Sequence, residues 1–247
     1  MLCRALGTST PDGPPNNSLE PTWPARTLEL RSILVLGWPG GSARKRYASL
    51  TSSAEPMAIR VVEEQGLSPA EYAAIPISFW VSQRFVPEPL AGGAPGLHLE
   101  LESVDPPYVK DYDLDPEEGP GSWGSTWDIS NWGIFTAFDE DTRVGAAAVA
   151  WNTPGLQMLG GRKDVAALWD LRILPDCRRR GIGSVIFAHT VEWARSKGCS
   201  QLVVETQNVN VPACRFYAMN GCVLTVIDPL AYPKHPAEVR LIWTLRV

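Results

Sequence analysis

Between residues 171 and 184 the chain reads Leu171-Arg172-Ile173-Leu174-Pro175-Asp176-Cys177-Arg178-Arg179-Arg180-Gly181-Ile182-Gly183-Ser184. A strand runs into a tight turn at Pro175, and a helical period begins within the glycines. A helix start leaves backbone N–H groups without partners and carries a partial positive charge, so an anion can sit there. Glycine lets the backbone approach phosphate oxygens with no Cβ in between. Arg178, Arg179 and Arg180 add positive field where a pyrophosphate would need it, next to Gly181, Ile182, Gly183 and Ser184. A P-loop is excluded, because no G-x-x-x-x-G-K-[ST] occurs, and a dinucleotide fingerprint fails because G-x-G-x-x-G is incomplete.

Working outward, Val165–Leu174 is the strand and Gly181–Lys197 the helix, closed by Gly198, with Ile182, Ile186, His189 and Trp193 as its packing stripe. Gln201–Thr206 reads as a strand, Val211–Met219 as a short helix, and Cys222–Ile227 and Glu238–Val247 as the last two strands. Upstream, Gly133–Phe138 and Val144–Trp151 form a hairpin turning at Asp139-Glu140-Asp141. Leu97–Glu102 alternates at period two, Ile75–Phe85 is rich in Ile, Phe, Trp and Val, and Asp105–Trp132 reads as an acidic loop broken by Pro and Gly. Strands in a run, followed by strands alternating with helices, predict an α+β sheet with a parallel portion near its middle.

After the strand ending at Thr206 comes Asn210-Val211-Pro212-Ala213-Cys214-Arg215-Phe216-Tyr217. Together with R-x-x-G-x-G at Arg178–Gly183, this N-x-x-A-x-x-F-Y resembles the acetyl-CoA motifs of the GNAT acetyltransferase superfamily. The resemblance implies an α/β/α arrangement: a mixed, mostly antiparallel central sheet, helices on both faces, and a splay between two parallel central strands. It implies acetyl-CoA as co-substrate and no metal. Asn210, with Ala213 in the same motif, would hold the pantetheine arm; Cys214 would lie beside it. Tyr217 would stand near the sulfur and protonate the departing thiolate. Backbone groups of Leu171, Ile173 and Leu174 would hold the carbonyl and pantetheine. A narrower likeness, to the streptothricin N-acetyltransferases, rests on Val204–Cys214, Tyr217-Ala218, Ile227-Asp228-Pro229-Leu230-Ala231-Tyr232 and Pro107–Tyr112. It departs at Cys222, in the Pro87–Pro95 insertion and in the Trp-rich 123–132 segment.

Acetyl transfer to an amine needs a neutral nitrogen, a polarised thioester and a proton for the sulfur. A carboxylate can remove the ammonium proton while its charge attracts the cation. Asp170, on the strand entering the anion-binding turn, is the first candidate base; its plainer reading is a salt-bridge partner of Arg172. Glu205, at the end of the next strand, is the second. Asp111 and Asp113 open an acidic run (Asp111, Asp113, Asp115, Glu117, Glu118) that reads either as a solvated charge run or as a collar for a polycationic acceptor. Trp132 could wall the cleft or offer a cation–π face, although such tryptophans are more often packing. The acceptor implied is a small cationic amine, foremost an antibiotic of the streptothricin type. A protein N-terminus, a polyamine or an aminoglycoside fits the same chemistry, and a non-catalytic acyl-CoA-binding module is the alternative from another class.

The 247 residues are 45% hydrophobic, enough for a sizeable core in one generous domain. A formal charge of −5 argues against nucleic acid or anionic membrane as a partner, and no apolar run approaches the ~20 residues of a membrane span. Cys3, Cys177, Cys199, Cys214 and Cys222 are odd in number, scattered and without a C-x-x-C pair, so they read as reduced thiols of a cytoplasmic protein rather than a disulfide or zinc framework. A homodimer is compatible with all of this. Residues 1–56 carry six basic and four acidic side chains, the other 191 carry 16 and 23, and the first stretch shows no sustained period. It is expected to be either a disordered, idle extension or a non-native one, for which Met57 is the candidate true start, with residues 57–247 the working domain.

Overall fold

The computed structural model describes residues 59–66, 68–93, 95–115 and 119–247, so the expectations for residues 1–56, for Met57, and for Glu117 and Glu118 lie outside the described residues. Strands β1 (Arg60–Glu63), β4 (Gly133–Asp139), β5 (Thr142–Trp151), β6 (Val165–Ile173), β7 (Gln201–Gln207), β8 (Val223–Asp228) and β9 (Arg240–Arg246) form one sheet. Its order is β1-β4-β5-β6-β7-β9-β8, antiparallel throughout except between β6 and β7. Strands β2 (Phe79–Pro89) and β3 (Leu97–Lys110) pair separately as a two-stranded antiparallel ribbon. The expected mixed, mostly antiparallel sheet with one parallel pair at its centre is what the chain forms.

Helices cover both faces. Along β5 and β6 alternate residues point to opposite sides, so Ala147, Val149, Ala166 and Leu168 pack on one face while Ala146, Ala148, Val165 and Ala167 pack on the other. The first face carries α3 (Ile182–Ser196) and α4 (Val211–Met219); the second carries α1 (Pro69–Ala73) and α2 (Pro120–Thr126). Helix α3 buries Ile182, Ile186, Phe187, Val191, Trp193 and Ala194, whereas His189 is exposed. His189 falls just past the edge of the arc that faces the sheet, so it does not belong to the packing stripe. On the second face Tyr72, Trp123, Trp132 and Trp169 build an aromatic cluster with ring centroids 5.0–5.7 Å apart.

Two segments differ from the expected elements. The strand expected from Ile75 begins at Phe79, because Pro76 offers no N–H to a ladder, and it runs on to Pro89. The segment expected as a loop from Asp105 stays in β3 to Lys110, and further on contains α2 with Pro120 in its first turn. Pro106 and Pro107 are tolerated in β3 because they fall in the irregular stretch between Gln83↔Ser103 and Val81↔Tyr108, where no residue of β2 pairs with them. The ribbon is tied to the sheet by Asn208: Phe85 N–H donates to its carbonyl at 3.0 Å, its side-chain amide donates to Phe85 O at 2.7 Å, and Val239 N–H donates to its Oδ1 at 2.8 Å.

The feature that matters most for the site lies in β6. Its register with β5 slips between Ala148↔Asp170 and Val149↔Leu168, leaving Trp169 as an extra residue. Its parallel pairing with β7 stops at Leu168↔Val204. A bulge bends the strand that carries it, so β6 and β7 part beyond this point. Among the described residues no helix is long and apolar enough to cross a membrane.

Gly133 faces α3, where a Cβ would lie 2.7 Å from Trp193 Cε2 and 3.0 Å from Cζ2. The indole is rigid and buried, so Gly133→Ala should destabilise the fold by about 1–3 kcal/mol, read as a lower urea midpoint with unchanged slope.

Candidate active site

Helix α3 opens at Gly181, whose φ of 84° is left-handed and which supplies no side-chain cap. Ser184 N–H and Val185 N–H return to Gly181 O, at 3.0 and 3.2 Å, while Ile182 and Gly183 stand in the first turn, where no intrahelical acceptor exists. Arg179 is also left-handed, at φ 60°, an uncommon conformation for a residue with a Cβ. Left-handed residues at 179 and 181, with Arg180 between them, curl the turn into the start of α3. A Cβ at Gly183 would meet Phe216 Cε2 at 3.2 Å, so this glycine lets α4 approach the start of α3.

The three arginines are not equivalent. The Arg178 guanidinium donates to Ile173 O and to Ser78 O, each at 3.0 Å, and burial lowers its pKa. It clamps the end of β6 to the segment before β2. Arg179 is exposed, and Arg180 lies 3.8 Å from Asp139 with Cys177 Sγ at 3.7 Å.

Beyond Leu168 the inner edge of β6 faces the splay. Leu174 N–H bonds Val144 O at 2.9 Å, and successive residues of a strand turn their amides to alternate sides. The peptide groups of Leu171 and Ile173 therefore face away from β5, toward the opening. On the far side, Asn210 caps α4, its Oδ1 accepting from Ala213 N–H at 3.2 Å. Cys214 is buried, 3.5 Å from Thr206 Oγ1, and burial pushes its thiol up to about 11. Tyr217 is buried too; burial first, then the neighbouring Cys222 and Asp170, holds its phenol protonated far above the usual tyrosine range.

The second face of the splay is rich in charge. Arg172 is buried and holds Asp170 through Nε and Nη2 (2.9 and 2.7 Å), Asp113 through Nη1 at 2.8 Å, and Ile75 O at 3.0 Å. Tyr72 donates to Asp170 Oδ1 at 2.9 Å. Glu205, on β7, is also buried; Tyr232 donates to its Oε1 at 2.8 Å, and Arg240 lies 3.9 Å from Oε2 and 2.7 Å from Asp228. Burial raises the Glu205 pKa against the opposing effects of Tyr232 and Arg240. Gln207 donates to Tyr232 at 3.0 Å and accepts from the hydroxyl of Tyr112. Each guanidinium thus meets two carboxylates, leaving both groups net negative.

The structure brings Asp170, Glu205, Tyr217, Asn210 and Asp113 to one splay. Asp111 sits at its edge, accepting from Asp113 N–H at 3.0 Å. Trp132 is buried in the aromatic cluster, and its indole N–H donates to Thr153 at 3.0 Å. Sequence reasoning missed Tyr72, Tyr112, Gln207 and Tyr232 as parts of the site, whereas the pairing of Arg172 with Asp170, two residues apart, was already the plainer reading. The partners of the missed residues lie far off in the chain, and an isolated tyrosine or glutamine carries no signal of its own. Among the described residues no group of His, Cys, Asp and Glu could hold a metal ion.

The gap between β6 and β7 thus lies between the start of α3 and a set of buried carboxylates. The chain belongs to the acetyltransferase (GNAT) family, whose sequence model matches residues 103–221. It is 32% identical over 149 residues to the streptothricin acetyltransferase of Streptomyces lavendulae, covering 58% of this chain and 71% of that one. To streptothricin acetyltransferase A of Bacillus subtilis (strain 168) it is 25% identical over 151 residues, 58% of this chain and 75% of the other. A Bacillus anthracis str. Ames protein crystallised with acetyl coenzyme A shares the fold at a TM-score of 0.59 and 24% identity, over 78% of this chain and 99% of its own.

Removing Arg172 would leave Asp170 and Asp113 as uncompensated charges, one of them fully enclosed. Arg172→Met should cost about 3–5 kcal/mol in urea unfolding, since breaking a buried pair from one side is far worse than replacing both partners.

Proposed function

We propose that this acetyltransferase moves the acetyl group of acetyl-CoA to a primary amine of a small cationic molecule of the streptothricin type. The observation that carries the reading is Glu205: a buried carboxylate whose pKa burial raises, on the same sheet face as the net-negative Arg172 cluster. The names of the relatives support the acceptor class.

In this reading the peptide groups of Leu171 and the N–H of Ile173 hold the pantetheine and thioester, with Asn210, Ala213 and Cys214 on the opposite wall. Leu174, expected from the sequence to join them, does not, because its N–H bonds Val144 O and its carbonyl accepts from Cys177 N–H. The turn at Arg179, Arg180, Gly181, Ile182, Gly183 and Ser184 takes the pyrophosphate, and Arg178 holds that turn in place. Asp113 and Asp111 attract the cation. An amine like that of lysine has a pKa near ~10.4 and arrives protonated. Glu205 accepts one proton, directly or through water, and the free nitrogen attacks the thioester carbon. As the carbon–sulfur bond breaks, Tyr217 gives its proton to the sulfur, and the second proton of the nitrogen restores the phenol. One proton leaves to solvent overall. Asp170 is less suited as base, because Arg172 holds both its oxygens and Tyr72 adds a third hydrogen bond. Trp132 supports the acceptor wall from within.

Thiol release from acetyl-CoA should be rapid with streptothricin, with kcat/KM on the order of 100-fold or more above spermidine, an aminoglycoside or an N-terminal peptide. A cofactor that raises the Tm while no amine is turned over would overturn the reading. Tyr217→Phe should lower kcat by about 10²- to 10⁴-fold with an unchanged Kd for acetyl-CoA. The working domain is proposed to be residues 57–247; a chain beginning at Met57 should keep full kcat.

A further inference from the structure

Tyr112, Gln207, Tyr232 and Glu205 come from three places: the turn after β3, strand β7, which carries both Glu205 and Gln207, and the loop between β8 and β9. Their hydrogen bonds all run one way. Tyr112 donates to Gln207 Oε1, Gln207 Nε2 donates to Tyr232 at 3.0 Å, and Tyr232 donates to Glu205 Oε1 at 2.8 Å. Gln207 fixes this direction: its carbonyl is taken by Tyr112, so only its amide remains to meet Tyr232, and the Tyr232 hydrogen is left for Glu205.

We propose that Tyr232, oriented by Gln207, is the positioning residue of the base: it pins Glu205 Oε1 and leaves Oε2 as the oxygen that meets the amine. The inference rests on the reading of Glu205 given above. Among the described residues Oε2 accepts no hydrogen bond, Arg240 standing 3.9 Å away, so it keeps the lone pairs that Oε1 has committed. The other charged groups facing this carboxylate are Asp228 at the end of β8, held by Arg240, and, across the splay on the same sheet face, Asp170 with Arg172. A donor on a carboxylate favours the ionised form, so Tyr232 offsets part of the upward push of burial.

The test is the pH dependence of kcat for the full chain with acetyl-CoA and the amine that the wild type turns over. Losing a hydrogen bond to a charged group moves a pKa by about one unit. Tyr232→Phe should therefore shift the acid limb upward by about one unit, with kcat recovering at high pH. Glu205→Gln should remove the limb, and Tyr232→Phe should then have no further effect on kcat. An equal loss of kcat at every pH, with the limb unmoved, would overturn the proposal. If the Tm shows that Tyr232→Phe folds poorly, Gln207→Met probes the same chain from its other end. It should shift the limb the same way but less, and an unmoved limb would again overturn the proposal. A wild type that acetylates no amine defeats the functional reading, whereas an active wild type with unmoved limbs in these variants defeats only the role of Tyr232.

Discussion

Two parallel strands that stop bonding to each other must give their peptide groups some other partner, because a buried N–H or C=O left alone is costly. In this chain β6 and β7 share only the rows from Val165↔Gln201 to Leu168↔Val204. The departure is built into the covalent sequence of β6: Trp169 is one residue too many for the β5 register, and the indole it carries is anchored among Trp127 and Trp132. The aromatic cluster is therefore more than packing. It holds the bulge, the bulge holds the splay, and the splay is where an extended pantetheine could supply what the missing strand does not.

The same bend explains how charge is distributed. A regular strand sends Trp169 and Asp170 to opposite faces, but a bulged one lets both serve the acceptor side, where Asp170 meets Arg172 and Tyr72. Arg172 then recruits Asp113 from the turn after the ribbon, while Arg240 gathers Glu205 and Asp228 from β7 and β8. Both guanidinium groups fasten elements together while leaving an excess of negative charge on the walls they stabilise.

Much of this could be read from the sequence where local chemistry sets the outcome. Pro175, the glycines at 181 and 183, and the cap at Asn210 each act within a few residues, and the strand–turn–helix and the short helix Val211–Met219 follow from them. The ribbon was harder, because Pro106 and Pro107 argue against a strand unless the register shift that leaves them unpaired is known beforehand. The role of Arg178 was hidden as well: a run of three arginines signals positive field, but nothing local says that the first would spend its guanidinium on Ile173 O and Ser78 O. The chain from Tyr112 to Glu205 joins residues about a hundred positions apart and exists only once the sheet has formed.

Burial does different work on each ionisable group around the splay. It pushes the Cys214 thiol to about 11 and so removes it as a nucleophile, since the thiolate is the reactive form. It keeps the Tyr217 phenol protonated, the state a proton donor needs. It raises Glu205 above the ordinary carboxylate value, which makes that group a stronger base while Tyr232 and Arg240 limit the rise. A more polar splay would pull the tyrosine and the glutamate back toward their solution values and weaken both at once. One dry environment thus acts in opposite chemical senses, because the same desolvation keeps a phenol neutral and makes a carboxylate more basic.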